Sequence, residues 1–233
     1  MKTAGIIGGI GPESTIEYYR QIVAAWRERK KDGSYPSIVI DSIDLKKMLD
    51  LIGTNREAAS DYLAGEVQRL ARAGADFAAM AANTPHEVFD DVCRKSPIPL
   101  LSIVEATCNE ARSRDLKRLA LFGTRFTMQG RFYPDVFSEA GIDLIVPAQD
   151  EQRFIHEKYM GELVNGIFLP KTRAQFLEII DRLIEQNHID GVILGGTELP
   201  LILRESQHDG IPLLDTTKIH VQAIVAQLVS SRA

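Results

Sequence analysis

Short apolar runs alternate with longer segments of helical period along the whole chain, the pattern of parallel strands joined by crossover helices. In the first half the strand candidates are AGIIGG (4–9), SIVI (37–40), DFAAMA (76–81) and PLLSI (99–103), separated by predicted helices over about 13–31, 55–73 and 86–94. A helix over about 105–114 leads to RLALFG (118–123), a helix over about 127–140, DLIVP (143–147), a long helix over about 171–186, GVILGG (191–196), a short helix from Glu198 and PLLD (212–215). The two halves repeat loosely: AGIIGG matches RLALFG, DFAAMAANTPH matches GVILGGTELPL, and PIPLLSI matches GIPLLDT. A unit of roughly 110 residues is too long for a solenoid repeat. It fits an α/β protein of two similar three-layer parallel-sheet lobes with pseudo-two-fold symmetry, one formed by 1–103 plus 215–233 and the other by 104–214. Ligands of open α/β sheets sit beyond the carboxyl ends of the strands, so the expected site is a cleft between the lobes, with AANTPH facing GGTELP.

Composition narrows the class. With 233 residues, 45% of them apolar and 25% charged, the chain is an ordinary globular one. A formal net charge of −5 argues against non-specific nucleic-acid binding, which needs a basic surface. No run of eighteen apolar residues occurs and the chain enters its first strand directly, so a cytoplasmic protein with no membrane partner is expected. Cys93 and Cys108 make no disulfide framework and read as reduced packing residues. His188, His208 and His220 fall in no metal-ligand spacing, and no bound metal is expected.

Candidate chemistry lies at the turns that follow strands. GGIGPEST (8–15) can present backbone N–H groups to an anion at a helix start, or its glycines can simply supply the sharp turn. It matches neither a dinucleotide fingerprint, since Ser14 stands at the third glycine position, nor a phosphate loop, which needs Lys-Ser or Lys-Thr. Asn83, Thr84 and His86 on one turn and Thr197 and Glu198 on the other can hold a carboxylate, although Thr84 and Thr197 can equally cap the helices they precede.

These segments carry a family resemblance. GIIGGIGPEST, AANTPHEVF, LFGTRFTM and GGTELPLIL, spread over essentially the whole chain, resemble the aspartate/glutamate racemase superfamily. Members of that family place one cysteine before Asn-Thr and another before Thr-Glu, and the two thiols exchange the substrate α-proton from opposite sides without cofactor or metal. This chain has Ala82 at the first position and Gly196 at the second, so the two-thiol mechanism is excluded. The resemblance implies that Asn83, Thr84, Thr124, Thr127 and Thr197 surround the substrate's carboxylate and amino groups, with Gly9 and Ile10 closing beside it. Lys171, Arg125 and Arg131 can reach a second carboxylate or lie on solvated helix faces.

Removing a poorly acidic α-proton needs a positioned base and donors for the developing enolate. The remaining bases at the turns are His86 and Glu198, with Glu13 behind them; His86 can instead tie its helix start to a neighbouring loop, and Glu198 can be an electrostatic cap. The amphipathic segment EQRFIHEKYMGEL (151–163), with His156 and Tyr159, can form a lid or a subunit contact. The expectation is a cofactor-independent isomerase or racemase acting on a small carboxylate such as an acidic amino acid, as a homodimer. The alternative is a sensor or regulator that keeps the fold and binds an amino acid or dicarboxylate without turnover.

Overall fold

A computed structural model describes residues 2–230 of the chain. Two compact units emerge, one of Met1–Ile103 with Thr217–Ala233 and one of Val104–Thr216. Each is an α/β lobe built on its own open, mainly parallel sheet.

In the first lobe, strands β1 (Thr3–Gly8), β2 (Ser37–Ser42), β3 (Phe77–Met80) and β4 (Leu100–Leu101) form a parallel sheet in the order β2-β1-β3-β4. Strand alternation sorts side chains onto two faces. Ala4, Ile6, Phe77 and Ala79 pack against helix α1 (Pro12–Lys30), through Tyr18, Ile22 and Trp26, and against α11 (Thr216–Val229), through Val221, Ile224, Val225 and Leu228. Ile7, Ala78 and Met80 pack on the opposite face against Met48 of α2 (Leu45–Thr54), Leu63, Val67 and Leu70 of α3 (Arg56–Arg72) and Val92 of α4 (Phe89–Lys95). Helices on both faces of one sheet make three layers, with no closed barrel.

The second lobe repeats this wiring. Strands β5 (Arg118–Gly123), β6 (Asp143–Ile145), β7 (Gly191–Gly195) and β9 (Ile211–Asp215) run parallel in the order β6-β5-β7-β9, and a two-residue antiparallel strand β8 (Gln207–His208) edges β9. Ala120, Phe122, Val192 and Leu194 face Ile155 and Tyr159 of α8 (Gln149–Gly161), Phe176, Ile180 and Leu183 of α9 (Pro170–Asn187), and Leu199 and Ile202 of α10 (Leu199–Ile202). The intervening residues Leu119, Leu121 and Ile193 are equally buried.

Several elements differ from the periodicity reading, each for a local reason. Helix α2 arises where no element is predicted, because the Asp44 carboxylate caps it by accepting from the Lys47 N–H at 3.2 Å. Asn55 then ends α2 and caps α3, accepting from the Ala58 N–H at 3.0 Å. The helix predicted over 127–140 is two: α6 (Arg125–Gln129), capped by Thr124, and α7 (Phe132–Glu139), with Gly130 between them. Pro134 falls in the first turn of α7, where its missing N–H leaves no helical bond unmade. The helix predicted over 86–94 begins as a 3₁₀ turn, Thr84–Val88, before α4. Strand β8 and helix α11 have no predicted counterpart, although α11 carries a clear i, i+3, i+4, i+7 apolar stripe.

The glycine loop leaves β1 beside the turn that leaves β3, since those parallel neighbours end at one sheet edge. Gly9 has φ +80°, and a Cβ there would collide with the Ile43 carbonyl oxygen, stand 2.6 Å from the Ile43 nitrogen and 2.7 Å from Ser42 Oγ. Its N–H donates to Thr15 Oγ1 at 2.8 Å. Gly9→Ala is therefore expected to cost about 1–3 kcal/mol from backbone strain alone, read as a lower midpoint in urea unfolding.

Candidate active site

In the first lobe the turn after β3 is Ala81-Ala82-Asn83-Thr84, and its side chains are almost wholly buried, Asn83 at 3% exposure and Thr84 at 7%. Burial obliges the turn's peptide groups to find partners. Ser14 Oγ, from α1, donates to the Ala81 carbonyl at 2.9 Å. His86 Nδ1 meets the Ala82 carbonyl at 3.1 Å, and its Nε2 meets the Ile103 N–H at 3.1 Å. A carbonyl can only accept and an N–H only donate, so the ring is the neutral Nδ1–H tautomer with both nitrogens engaged. It also stacks on Phe89, with centroids 4.9 Å apart.

His86 has a buried companion. His220 of α11 donates from Nε2 to the Leu101 carbonyl at 3.1 Å and accepts at Nδ1 from the Tyr18 hydroxyl at 2.9 Å. The two imidazoles lie 6.4 Å apart, edge to face. Burial, then the neighbouring His220, drives His86 down to about 3, and burial drives His220 down to about 4. In this state neither ring has a lone pair left to take a substrate proton. Both ring nitrogens thus join the start of the helical turn to neighbouring backbone.

The corresponding turn of the second lobe is Gly196-Thr197-Glu198, between β7 and α10. Glu198 is buried at 2% exposure and caps nothing with its side chain. Its Oε2 accepts from the Thr197 hydroxyl at 2.8 Å and from the Tyr159 hydroxyl. The residues that open the two helical turns are Asn83 and Glu198, and neither makes a side-chain cap bond. Tyr159 lies on the buried face of α8, one turn from Ile155. Burial first, and then the Glu198 carboxylate, push its phenol well above the usual tyrosine range. Helix α8 is anchored to α9 by the Arg182–Glu151 pair, with Arg182 Nε 2.7 Å from Glu151 Oε1.

Gly196 and Tyr159 are coupled. A Cβ built on Gly196 would run into Tyr159 Cε2 and stand 2.9 Å from both Cζ and the hydroxyl oxygen. The room that a side chain at 196 would fill is occupied by the tyrosine. Nothing in the sequence singles out Tyr159 beyond its place in an amphipathic segment, because the contact spans 37 positions and depends on the helix packing over β7.

The remaining predicted residues divide by burial. Ile10 packs in the core under β1 with Ala82. Thr124 caps α6, accepting from the Thr127 N–H at 3.3 Å, and Thr127 is fully buried against the ends of β5 and β7. Arg131 pairs with Asp135 at 2.7 Å on an exposed helix face, and Lys171 is also exposed. Arg125, Arg153 and His156 line a surface cavity of about 430 Å³, where the His156 Nδ1 accepts from the Arg125 N–H at 3.2 Å. Cys93 is exposed on α4 and Cys108 buried on α5 (Ile103–Ser113), and neither belongs to either turn. Among the described residues no group of three or more His, Cys, Asp or Glu side chains is placed to hold a metal ion, and no helix is long and apolar enough to cross a membrane.

Comparison with known proteins follows the same lines. The model of the Asp/Glu/Hydantoin racemase family matches residues 7–224. The broad specificity amino-acid racemase RacX of Bacillus subtilis (strain 168) is 25% identical over 95% of this chain and 96% of its own length. A structure from Yersinia pestis, solved as a candidate Asp/Glu racemase, superposes with a TM-score of 0.90 at 30% identity, covering 99% of this chain and 100% of that one. An aspartate racemase homologue from Pyrococcus horikoshii OT3 gives 0.85 at 34% identity with the same coverage.

The two buried histidines imply a pH dependence. Their folded values, about 3 and about 4, lie below the ordinary 6.5, so below that pH the unfolded chain binds more protons than the native one. Their contribution is complete above about pH 6.5 and is lost as pH falls toward 4 and then 3. Between pH 7 and pH 5 each is expected to remove about 2 kcal/mol of stability. Denaturant melts of the wild type and His86→Gln at both pH values should show a dependence weaker by about that amount in the variant.

Proposed function

Because the chain belongs to the Asp/Glu/Hydantoin racemase family, we propose that it is a cofactor-independent acid–base enzyme acting at the α-carbon of a small carboxylate, such as an acidic amino acid, by groups other than a cysteine pair. The observation that carries this reading is the second turn. Where the resemblance expects a thiol there is Gly196, yet a carboxylate, Glu198, is held beside it almost without solvent, with Thr197 and Tyr159 bonded to it. Burying a carboxylate costs free energy, which makes a site with a task a better account than a loop that has merely drifted. Asn83, Thr84 and Thr197 are the proposed carboxylate and amino-group contacts, with Gly9, Ile10, Thr124 and Thr127 shaping the turns around them. His86 is proposed as a positioning residue that holds the Ala82 turn, in place of the base expected from the sequence.

Incubating the protein with L- and D-aspartate and glutamate in deuterated water, followed by proton NMR, checks this reading. The expected outcome is progressive loss of the α-proton signal. Absence of exchange across a panel of amino acids would rule it out. One observation favours a second reading, ligand binding without turnover: Ala82 offers no proton-active atom and His86 has both nitrogens engaged, so the first turn has no reagent of its own. In that case an acidic amino acid at 100 times its Kd would stabilise the fold by about 2.7 kcal/mol with no α-exchange.

The same reading includes a cytoplasmic homodimer. Support for association comes from Ile16 and Tyr19 on α1, both about half exposed at 51% and 52% and one helical turn apart. Light scattering should give twice the 25.9 kDa chain mass, and the mass of a single chain would remove the dimer from the proposal.

A further inference from the structure

We propose that Tyr159 stands in for the second thiol, its hydroxyl forming with Glu198 a proton-carrying pair that serves one face of the substrate α-carbon. The inference rests on the acid–base reading above and adds to it the group that moves the proton.

Three observations converge on this residue. The first is steric: the phenol oxygen lies 2.9 Å from where a Cβ at Gly196 would be, within the region a side chain at that position would occupy. Tyrosine and cysteine are thus mutually exclusive tenants of one space. The second is the hydrogen-bond arrangement. The Tyr159 hydroxyl donates to Glu198 Oε2, and the same oxygen accepts from Thr197, which fixes the phenol's orientation at the turn. The third is mounting: Tyr159 is 6% exposed and sits on α8 among Ile155, Phe176 and Leu199, so its ring is held by packing and not by solvent-facing contacts.

The chemistry balances without a further reagent. As the substrate Cα–H bond breaks, the phenol oxygen takes the proton while its own proton passes to the Glu198 carboxylate; the bonding pair stays on the substrate as an enolate. Glu198 ends as the carboxylic acid, and Tyr159 is a neutral phenol before and after. In the reverse step Glu198 returns its proton through the phenol to the same face. A tyrosine kept protonated suits this role, because it passes protons without storing charge in a buried place. Because Glu198 returns the proton through the same phenol, the pair works on one face, and exchange with retention should outrun inversion.

In deuterated water with L-aspartate and L-glutamate, Tyr159→Phe, which keeps the ring and removes the hydroxyl, and Glu198→Gln should each slow α-exchange at least ~100-fold. Amino-acid affinity by calorimetry should change only a few-fold, and chiral analysis of the wild-type product should show label entering faster than configuration is lost. Exchange by Tyr159→Phe at the wild-type rate overturns the proposal and leaves the acid–base reading intact. No exchange by the wild type overturns both. The shared space is tested without turnover: Gly196→Ala should lower the melting temperature by several degrees in the wild type and much less in a Tyr159→Ala background. Equal losses in the two backgrounds would show that the residues do not compete for room and would overturn the substitution of tyrosine for thiol. If the substitution is right, Ala82→Cys with Gly196→Cys should yield racemisation only when Tyr159→Ala is added.

Discussion

A buried peptide group or carboxylate at the end of a parallel strand must find a partner, and most of what is distinctive in this chain answers that requirement. Beyond β3 the Ala81 carbonyl is met by Ser14 and the Ala82 carbonyl by His86. Beyond β7 the Glu198 carboxylate is met by Thr197 and Tyr159, and near the end of β7 the Leu194 carbonyl accepts from Thr216 Oγ1 at 2.8 Å. The same polar side chains that mark the turns as a candidate site are therefore also the ones that hold the turns in shape. Function and architecture compete for their hydrogen-bonding atoms, and in the case of His86 architecture has both ring nitrogens.

That competition separates the two lobes chemically although their sheets are wired alike. The first-lobe turn is closed on itself: a neutral imidazole tied at both nitrogens, a second buried imidazole behind it, and a methyl side chain at position 82. The second-lobe turn keeps a carboxylate and a phenol joined by a hydrogen bond. Family membership alone would lead one to expect equivalent reagents at the two turns. At Gly196, where the resemblance expects a thiol, the Tyr159 ring fills the space, whereas position 82 carries a buried methyl group.

Much of the fold was legible in the sequence. Alternating apolar runs and helical periods located eight of the strands near their observed places, and the internal repeat anticipated two similar parallel-sheet lobes. The misses were local. Helix α2 hides behind an Asp44 cap and a direct junction at Asn55, α6 and α7 look continuous because the residues on either side of Gly130 share one apolar period, and β8 is too short to show alternation. Of the candidate site, the turns themselves were legible, since Asn-Thr and Thr-Glu after buried strands are unusual places for polar residues. The partners were not: Ser14 is 67 positions from Ala81, and His220 is 119 from Leu101.

By itself, then, the sequence determined the α/β class, the repeat, the strand-end turns and the absence of a thiol at residues 82 and 196, because periodicity and residue identity are local properties of the chain. Only the tertiary structure decided what each polar group is free to do. Whether a histidine is a base or a tie depends on which backbone groups reach its two nitrogens, and those of Ala82 and Ile103 arrive from separate segments. Whether a glycine is an empty place or a filled one depends on what packs over it. At Gly196 a ring from α8 does, and no spacing rule along the chain could have revealed it.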